Sequence, residues 1–316
     1  MTGCAVSVGV FDGVHRGHQE IIRLLAGQAA RRSIPSVVLT FDPHPRPEAI
    51  AQEGGLLLSP DERGALLRAL GVQWVVVLRF TESIKTMPAE RFFHEVLLAR
   101  LGARVVIVGP THHFGYGGTG EATLLRRLGA AAGVDVVIAP ETASNGLTIS
   151  SRRIRSYLAA GRVVEAADGL GRPYRLDGTV VRGSGIGREL GFPTANLEAA
   201  SGRIIPGDGV YGCVAHLDEG RFPAVVNIGF APTIRGLRPK QRRVEVHLID
   251  HDAVLYSRSI GISFFVRIRE ERRFVGAEDL RQQIAEDVGR IRTLTNAGAD
   301  QSFGNTAGNN DPFPFR

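Results

Sequence analysis

The first half of the chain alternates short runs of β-branched residues with amphipathic stretches. The runs are predicted as strands over residues 5–11, 36–41, 72–80, 104–109 and 135–140. The intervening stretches place apolar residues at helical spacing over residues 18–32, 61–71 and 88–102. Because successive parallel strands need a crossover connection, this alternation predicts a parallel sheet with helices on both faces, which is an α/β fold.

The pattern changes after a predicted helix pair in residues 150–171. Strands separated by glycine and proline are predicted over 174–183, 207–217, 222–230, 242–250 and 261–269, before a helix over 277–294. Closely spaced strands with turn residues between them are typical of an antiparallel sheet or barrel. We therefore predict one domain over 1–165, a second over 170–296 and a disordered tail over 297–316, which is polar and aperiodic.

Composition excludes several classes of protein. No apolar run approaches the roughly 18 residues of a membrane span, and the 316 residues carry two cysteines, Cys4 and Cys213, with neither disulfide nor zinc spacing. A cytoplasmic protein is expected. The formal net charge is +6, but the densest basic cluster, over 235–243, has no interleaved aromatic residues. Neither a nucleic-acid partner nor a membrane partner is expected.

Histidines follow the first two predicted strands. His15 and His18 lie between the first strand and its helix, and His44 follows the second strand. The carboxyl ends of parallel strands collect ligands, and helix N-termini attract anions, so these histidines could handle phosphate. Two alternatives remain: a metal site with Asp12 and Asp42, and histidines that only cap or pack locally.

In the second half, a glycine-rich segment over 183–196 precedes the strand sequence VEVH, which contains Glu245. Glycine-rich loops let backbone amides approach phosphate, but the GK[ST] of a Walker loop is absent. Spacing alone leaves a phosphate-binding loop and an ordinary hairpin as equal interpretations, and it favours a solvent-facing Glu245 over a catalytic one.

Together the motifs are more specific. The chain contains GVFDGVHRGHQ (9–19), TFDPHP (40–45), FGYGGTGEATLL (114–125), ISSRRIR (149–155), GFPTAN (191–196) and an NIG..PT segment (227–233). Over about residues 5–295 it resembles the bacterial bifunctional riboflavin kinase/FMN adenylyltransferases, also called FAD synthetases.

For the first domain, the resemblance implies a Rossmann-like nucleotidyltransferase that transfers the adenylyl group of ATP to FMN. His15 and His18 would stabilise the transition state. The remaining nucleotide-binding residues implied by the resemblance are Gly9, Phe11, Asp12, His44, Ser150, Ser151 and Arg153.

For the second domain, the resemblance implies a small β-barrel that phosphorylates riboflavin with ATP. Glu245 would be the general base, and Thr194 and Asn196 would hold Mg²⁺ with the phosphates. The other implied ligand contacts are Gly183, Gly185, Gly187 and Asn227. Riboflavin, FMN and ATP would be the small-molecule partners, and the oligomeric state is left open.

The chain also departs from the family pattern. Thr111, His112 and Arg152 replace usual residues of the first domain, and Ile186, Phe230 and Ala231 do so in the second. These departures motivate three alternatives. The chain could be a specialised paralogue with another nucleotide or flavin preference, a protein that retains the kinase activity alone, or a flavin-binding regulator.

Overall fold

The computed structural model describes residues 3–144, 146–183, 187, 190–230, 242–251, 255–272 and 274–297. The strands of the first half are β1 (Cys4–Val8), β2 (Ser36–Asp42), β3 (Trp74–Arg79), β4 (Ala103–Val108) and β5 (Asp135–Ile138). They form one parallel sheet in the order β3-β2-β1-β4-β5. The strand order reverses at β1 and β4, so ligands are expected outside the carboxyl ends of these strands.

Helices cover this sheet. They are α1 (Arg16–Arg32), α2 (Pro47–Gln52), α3 (Pro60–Ala69), α4 (Glu82–Lys85), α5 (Ala89–Arg91) and α6 (Ala122–Ala132), with a π-helix over Phe92–Arg100 and a 3₁₀ turn over Tyr116–Gly118. Two short strands, β6 (Ala143–Ser144) and β7 (Leu147–Thr148), form a hairpin. The predicted parallel sheet is confirmed.

Two elements differ from the sequence prediction. The helix expected over 88–102 is α-helical only at its start and continues as the π-helix, whose Phe92, Phe93 and Val96 are buried in the core beneath the sheet. Helix α6 was not predicted. It contains Gly129, where any side chain would collide with Val134, so the missing Cβ allows the helix to pack closely on the segment leading into β5.

The second half forms a closed barrel. Its strands are β8 (Tyr174–Val181), β9 (Ala195–Ala199), β10 (Gly209–Leu217), β11 (Gly220–Phe230), β12 (Arg242–Leu248) and β13 (Ser259–Arg269). They pair antiparallel in the order β10-β11-β12-β9-β8-β13. Tyr174, Tyr211 and Phe264 meet inside the barrel, with ring centroids 5.5 and 6.3 Å apart. Strand β9, which was not predicted, follows the GFPTAN motif directly.

Three helices accompany the barrel: α7 (Ser151–Ala159), α8 (Val163–Leu170) and α9 (Ala277–Ala297). Helix α8 packs on β8 and β13, and α9 packs on the outer face of β11. The chain divides after Ser151 into two compact units, so α7 and α8 group with the barrel. Residues 298–316 of the expected disordered tail lie outside the described residues.

Candidate active sites

The turn between β1 and α1 has an unusual backbone. Phe11 and Val14 adopt φ of 54° and 40°, and Gly13 between them adopts 83°. Residues other than glycine rarely enter this left-handed region. Such conformations cost free energy and persist where the surroundings hold them, which is common at functional sites. The turn brings His15 to the N-cap of α1.

His15 and His18 stack on each other at this helix start. Their ring centroids lie 3.6 Å apart with an interplanar angle of 17°, and the Phe11 ring meets His18 edge-on at 5.1 Å. The backbone amide of His18 donates to Nδ1 of His15 over 3.3 Å. Nδ1 of His15 therefore carries no proton, and in the neutral ring the proton resides on Nε2, where it can be donated to an anion.

The His18 ring favours its neutral form. Burial, followed by the neighbouring charge of His15, holds its pKa well below the ordinary value. Its buried Nδ1 has no hydrogen-bond partner among the described residues. A neutral imidazole with an unused nitrogen can bind a ligand by hydrogen bonding without bringing a fixed charge.

Ser151 of the ISSRRIR motif contacts this turn. The Ser151 hydroxyl donates to the Asp12 carbonyl over 2.8 Å, although the two residues are 139 apart in sequence. The buried Asp12 carboxylate accepts hydrogen bonds from the backbone amides of Leu57 and Leu58, at 3.0 and 3.1 Å to Oδ1. Asp12 thus joins the segment before α3 to the histidine turn.

Arg63 is a buried residue at this sheet edge that sequence analysis did not identify. Its side chain is 2 % exposed and donates to the Phe41 carbonyl over 3.1 Å. Burial lowers its pKa, while Asp12 and Asp42 oppose that shift. Arg63 therefore places positive charge close to Asp12 and Asp42, which follow β1 and end β2. Arg63 is one of two arginines in α3, stands between Glu62 and Gly64 and belongs to no local motif, so nothing local in the sequence signals its burial.

The remaining predicted nucleotide contacts are distributed around these elements. His44 follows β2, and its Nδ1 accepts from the Arg46 amide over 2.9 Å. Ser150 is half-buried just before α7. Arg153 lies on α7 within the second compact unit. Gly9 lies against the Phe11 ring, since a side chain there would touch it.

A surface cleft of about 480 Å³ opens beside the N-terminal half of α1. Its lining combines Arg16, Gln19, Glu20 and Arg23 of that helix with residues 140–143 after β5. Arg16 directly follows His15 in the HRGH sequence, so the cleft adjoins the histidine turn.

In the barrel, three predicted site residues form one row across neighbouring strands. Glu245 of β12 lies directly opposite Asn196 of β9 on one side and Asn227 of β11 on the other. Directly opposed residues share a face, with Cβ atoms about 4.5–5.5 Å apart. Val225 is on the same face of β11 as Asn227 and packs against α9, so the row lies on the outer face of the barrel.

Two glycines approach this row closely. A side chain at Gly183 would overlap the Asn196 amide nitrogen, and one at Gly187 would collide with the Phe192 carbonyl and touch the Thr194 hydroxyl. Nδ1 of His247 lies 2.9 Å from the Pro193 carbonyl, so the GFPTAN segment is held against β12. Gly185, Ile186 and Ala231, and the side chain of Phe230, lie outside the described residues.

The carboxyl group of Glu245 has a raised pKa. Burial is the main cause, Arg243 opposes it, and Glu271 adds to it. Sequence analysis missed Glu271, which follows β13 in a run of charged residues. Its carboxylate occupies the space above Gly229 of β11. Nothing local in the sequence signals this proximity.

The described residues contain no group of three or more His, Cys, Asp or Glu side chains placed to hold a metal ion. The possible magnesium ligands Thr194 and Asn196 offer a hydroxyl and an amide oxygen instead. Across the same part of the chain, no helix is both long and apolar enough to cross a membrane.

Comparisons with known proteins match each half of the chain to a protein family. A family described as FAD synthetase matches residues 1–153, and one described as riboflavin kinase matches residues 170–295. A bifunctional riboflavin kinase/FMN adenylyltransferase from Pseudomonas fluorescens is 36% identical over 92% of this chain and 93% of its own length. The protein of the same description from Bacillus subtilis is 33% identical over 89% of each chain.

A solved structure from Streptococcus pneumoniae, described as a macrolide-efflux protein, has a similar fold. It superposes with a TM-score of 0.83 at 29% identity and covers 92% of this chain and 95% of its own. The fold likeness thus extends over both compact units.

Proposed function

The chain belongs to the family of bifunctional riboflavin kinase/FMN adenylyltransferases, and from this premise we propose how its residues carry the two reactions. The enzyme is both a kinase and a nucleotidyltransferase. It phosphorylates riboflavin to FMN with ATP, and it adenylylates FMN to FAD with release of pyrophosphate. We assign the first reaction to residues 170–296 and the second to residues 1–165.

In adenylyl transfer, the FMN phosphate attacks the α-phosphorus of ATP and the bond to the pyrophosphate oxygen breaks. No nucleophilic side chain is required, so catalysis consists of alignment and of stabilising charge on the phosphates. His15 donates from Nε2 to a phosphate oxygen, and His18 adds a second hydrogen bond from its buried ring. The strained turn at Phe11 and Val14 holds both rings ready before ATP binds.

The nucleotide lies along the histidine turn and the cleft beside α1. Ser150, Ser151 and Arg153 contribute hydroxyl groups and positive charge at the start of α7. His44 contacts the nucleotide from the end of β2, and Gly9, Phe11 and Asp12 shape the turn beneath it. Arg63 stabilises the carboxyl end of β2 through its hydrogen bond to the Phe41 carbonyl.

In the kinase reaction, Glu245 accepts the proton of the ribityl 5′-hydroxyl while its oxygen attacks the γ-phosphorus and ADP leaves. The observation that carries this proposal is the row of Asn196, Glu245 and Asn227 across three neighbouring strands. A raised pKa brings the Glu245 carboxylate closer to the range in which a general base is effective. Asn227 orients the hydroxyl beside it.

Both activities use ATP, and enzymes of this class need a divalent metal ion. We propose Mg²⁺, held by the Thr194 hydroxyl and the Asn196 amide oxygen. The amide nitrogen of Asn196 is the atom nearest to Gly183. Mg²⁺ prefers oxygen ligands and retains water, so these two protein ligands suffice beside the phosphates. When bound, the ion would neutralise phosphate charge. Gly183, Gly185 and Gly187 let the loop approach ATP closely.

The function is tested by incubating the purified chain with riboflavin, ATP and MgCl₂ and separating the flavins chromatographically. FMN is expected first and FAD after it. If neither product forms, the proposal is wrong, and FMN without FAD would leave the kinase activity alone. A cytoplasmic location is proposed with this function, since its small-molecule substrates are ATP and flavins.

One observation favours testing a specialised nucleotide or flavin preference as well. His112 stacks on Phe114 at the end of β4, with centroids 5.8 Å apart, where family members usually carry phenylalanine. A panel of nucleoside triphosphates in the same assay tests nucleotide choice, and strict use of ATP would exclude an altered one.

A further inference from the structure

The backbone turn over residues 10–14 is held at both ends by side chains from neighbouring elements. At its first end, the Thr40 hydroxyl of β2 donates a hydrogen bond to the Val10 carbonyl over 3.1 Å. At its second end, the side-chain amide of Gln19 in α1 donates to the Val14 carbonyl over 2.9 Å. The turn that carries the histidines is therefore attached to the strand beside it and to the helix after it.

These two hydrogen bonds fix the peptide planes on either side of the left-handed residues. The Val10 carbonyl belongs to the plane that leads into Phe11, and the Val14 carbonyl belongs to the plane that leads into His15. Because the peptide bond is planar, holding its carbonyl limits the backbone angles on both sides. Phe11 and Val14 have φ of 54° and 40°, and such conformations persist only where the surroundings hold them.

We propose that Thr40 and Gln19 are positioning residues of adenylyl transfer, which hold the two ends of this turn and so fix the orientation of His15. The inference rests on the proposed function, in which His15 binds the phosphates. Both residues act through the backbone of the turn and form no bond with the reacting atoms.

Thr40 extends the attachment of β1 to β2 beyond the paired residues of the two strands. The Gly9 amide donates to the Leu39 carbonyl over 3.1 Å, and the Thr40 hydroxyl then bonds to Val10, the next residue along. Thr40 is 1 % exposed. If its hydroxyl is removed, water does not readily replace the lost donor, and the buried carbonyl is left unsatisfied.

Gln19 is bonded twice to the segment before it. Its backbone amide donates to the His15 carbonyl over 2.9 Å, and its side chain reaches the adjacent Val14 carbonyl. His15 keeps the N-cap conformation, with φ of −69° and ψ of 170°, in which its Nδ1 accepts from the His18 amide. A rotation of the peptide between Val14 and His15 would therefore move the imidazole.

The orientation of His15 matters because the proposed reaction has no nucleophilic side chain. An oxygen of the FMN phosphate forms its bond to the α-phosphorus, and pyrophosphate leaves with the electron pair of the broken bond. His15 contributes only a hydrogen bond from Nε2 to a phosphate oxygen. A displacement of about 1 Å at such a group can cost roughly 100-fold in rate, so supports of its backbone affect the chemical step.

A third side chain holds the middle of the turn, since the Ser151 hydroxyl donates to the Asp12 carbonyl. Ser151 is also proposed to contact the nucleotide, so its replacement would change binding and positioning together. Gln19 lines the cleft beside α1, whereas Thr40 lies within β2. Thr40 therefore gives the cleaner test, and both KM and kcat are needed for Gln19.

The test is steady-state FAD formation by the full chain from supplied FMN, ATP and MgCl₂. Thr40→Val and Gln19→Leu keep the approximate shape of each side chain and remove the donor. Each should lower kcat by about 10- to 100-fold. KM for ATP and for FMN should stay within about twofold, because no contact with a substrate is lost. Gln19→Leu serves as the test if Thr40→Val does not fold.

Two controls separate positioning from a general loss of stability. Thr40→Ser restores the hydroxyl and should recover most of the kcat that Thr40→Val loses. Ser7→Ala removes a buried hydroxyl of β1 that donates to the Ile107 carbonyl over 2.7 Å, which is the same kind of bond outside the turn. It should lower the melting temperature measured by circular dichroism, as Thr40→Val does, but leave kcat unchanged.

The tautomer of His15 is a second readout that does not depend on catalysis. Long-range proton–nitrogen NMR of the histidine side chains should show a single tautomer with the proton on Nε2 in the unchanged protein. The same tautomer should remain in Ser7→Ala. Thr40→Val and Gln19→Leu should show a mixture of both tautomers, because Nδ1 is no longer held against the His18 amide.

An unchanged kcat with a single His15 tautomer in folded Thr40→Val and Gln19→Leu overturns the inference. So does a rise in KM at unchanged kcat, since that would make these residues substrate contacts, or a loss of kcat that Thr40→Ser does not recover. Failure of the proposed function gives a different result: the unchanged protein would form no FAD, while the tautomer mixture in both variants would still support the positioning of His15.

Discussion

At the scale of single residues, burial lowers the pKa of two histidines of the first unit. The half-buried His18 ring packs against Phe11 and His15, and its pKa is lowered by burial and by His15. Burial and the neighbouring His113 lower the pKa of His112 to about 4. A neutral imidazole can still donate one hydrogen bond and accept another, and it can stack on a flat, uncharged ring.

The lowered pKa of His112 predicts a pH-dependent stability. Below the unfolded-state pKa of 6.5 the unfolded chain binds a proton, whereas folded His112 does so only near pH 4. The free energy of unfolding therefore falls as the pH drops through this window, by roughly 1–3 kcal/mol, since one pKa unit is worth about 1.36 kcal/mol. His112→Phe lacks this contribution, so its free energy of unfolding should fall less between pH 7 and 4. Urea denaturation at a series of pH values measures the difference.

His94 provides the matched control, because it is an exposed histidine of the same unit. The variant His94→Gln measures how removing an exposed histidine changes the pH dependence of stability. His18 should still contribute its own acid destabilisation in both variants. An unchanged pH dependence in His112→Phe would contradict a lowered pKa of His112.

At the scale of elements, α9 is attached to the barrel by a buried polar network as well as by apolar contacts. Val288 and Ile291 pack on Val210 and Val225. Asp287, 3 % exposed, accepts from Arg269 Nη2 over 2.8 Å and from Gln283 Nε2 over 3.1 Å. The network joins α9 to β13 beside the Glu245 row.

We expect Asp287→Ala to loosen this helix. Removing one partner of a buried ion pair leaves the other uncompensated, at a cost of about 2–4 kcal/mol, reduced here because Arg269 is partly exposed. The barrel should melt at a lower temperature by circular dichroism, and riboflavin phosphorylation should fall. Adenylylation of supplied FMN should persist.

The control for this variant lies on the same helix. Arg281 forms an exposed ion pair with Glu278, and exposed pairs contribute little to stability. Arg281→Ala should therefore melt almost as the unchanged protein does. Equal destabilisation by both substitutions would show that helix propensity, and not the buried network, holds α9.

At the scale of the whole molecule, the proposed phosphate-binding histidines and the proposed base Glu245 lie in separate compact units. The histidines belong to the first unit and Glu245 to the second. Glu245→Gln should abolish FMN formation from riboflavin yet spare FAD formation from supplied FMN. His18→Ala should do the reverse, because it removes the proposed phosphate contact but leaves the barrel intact.

Chromatographic analysis of the products from riboflavin and from FMN checks both variants. The control is circular dichroism melting of each variant, which must match that of the unchanged protein. Loss of both activities in a folded variant would contradict separable sites.

Much of the architecture follows from local patterns. The period of the apolar residues identified the five strands of the parallel sheet, and turn residues identified most barrel strands. Strand β9 was missed because it is short and only Leu197 is a large apolar residue in it. Helix α6 was missed because Gly129 weakens its helical pattern, although the structure needs a glycine there.

The amino-acid sequence by itself determined the α/β and barrel halves, the positions of the motifs and the resemblance to the family, because these depend on residues close together in the chain. Tertiary structure alone decided which side chains become neighbours. Ser151 reaches Asp12, Asn196 and Asn227 flank Glu245, and Glu271 fills the gap above Gly229. Such contacts depend on strand register and on the packing of distant segments, and these in turn set the burial and charge that determine each group's pKa.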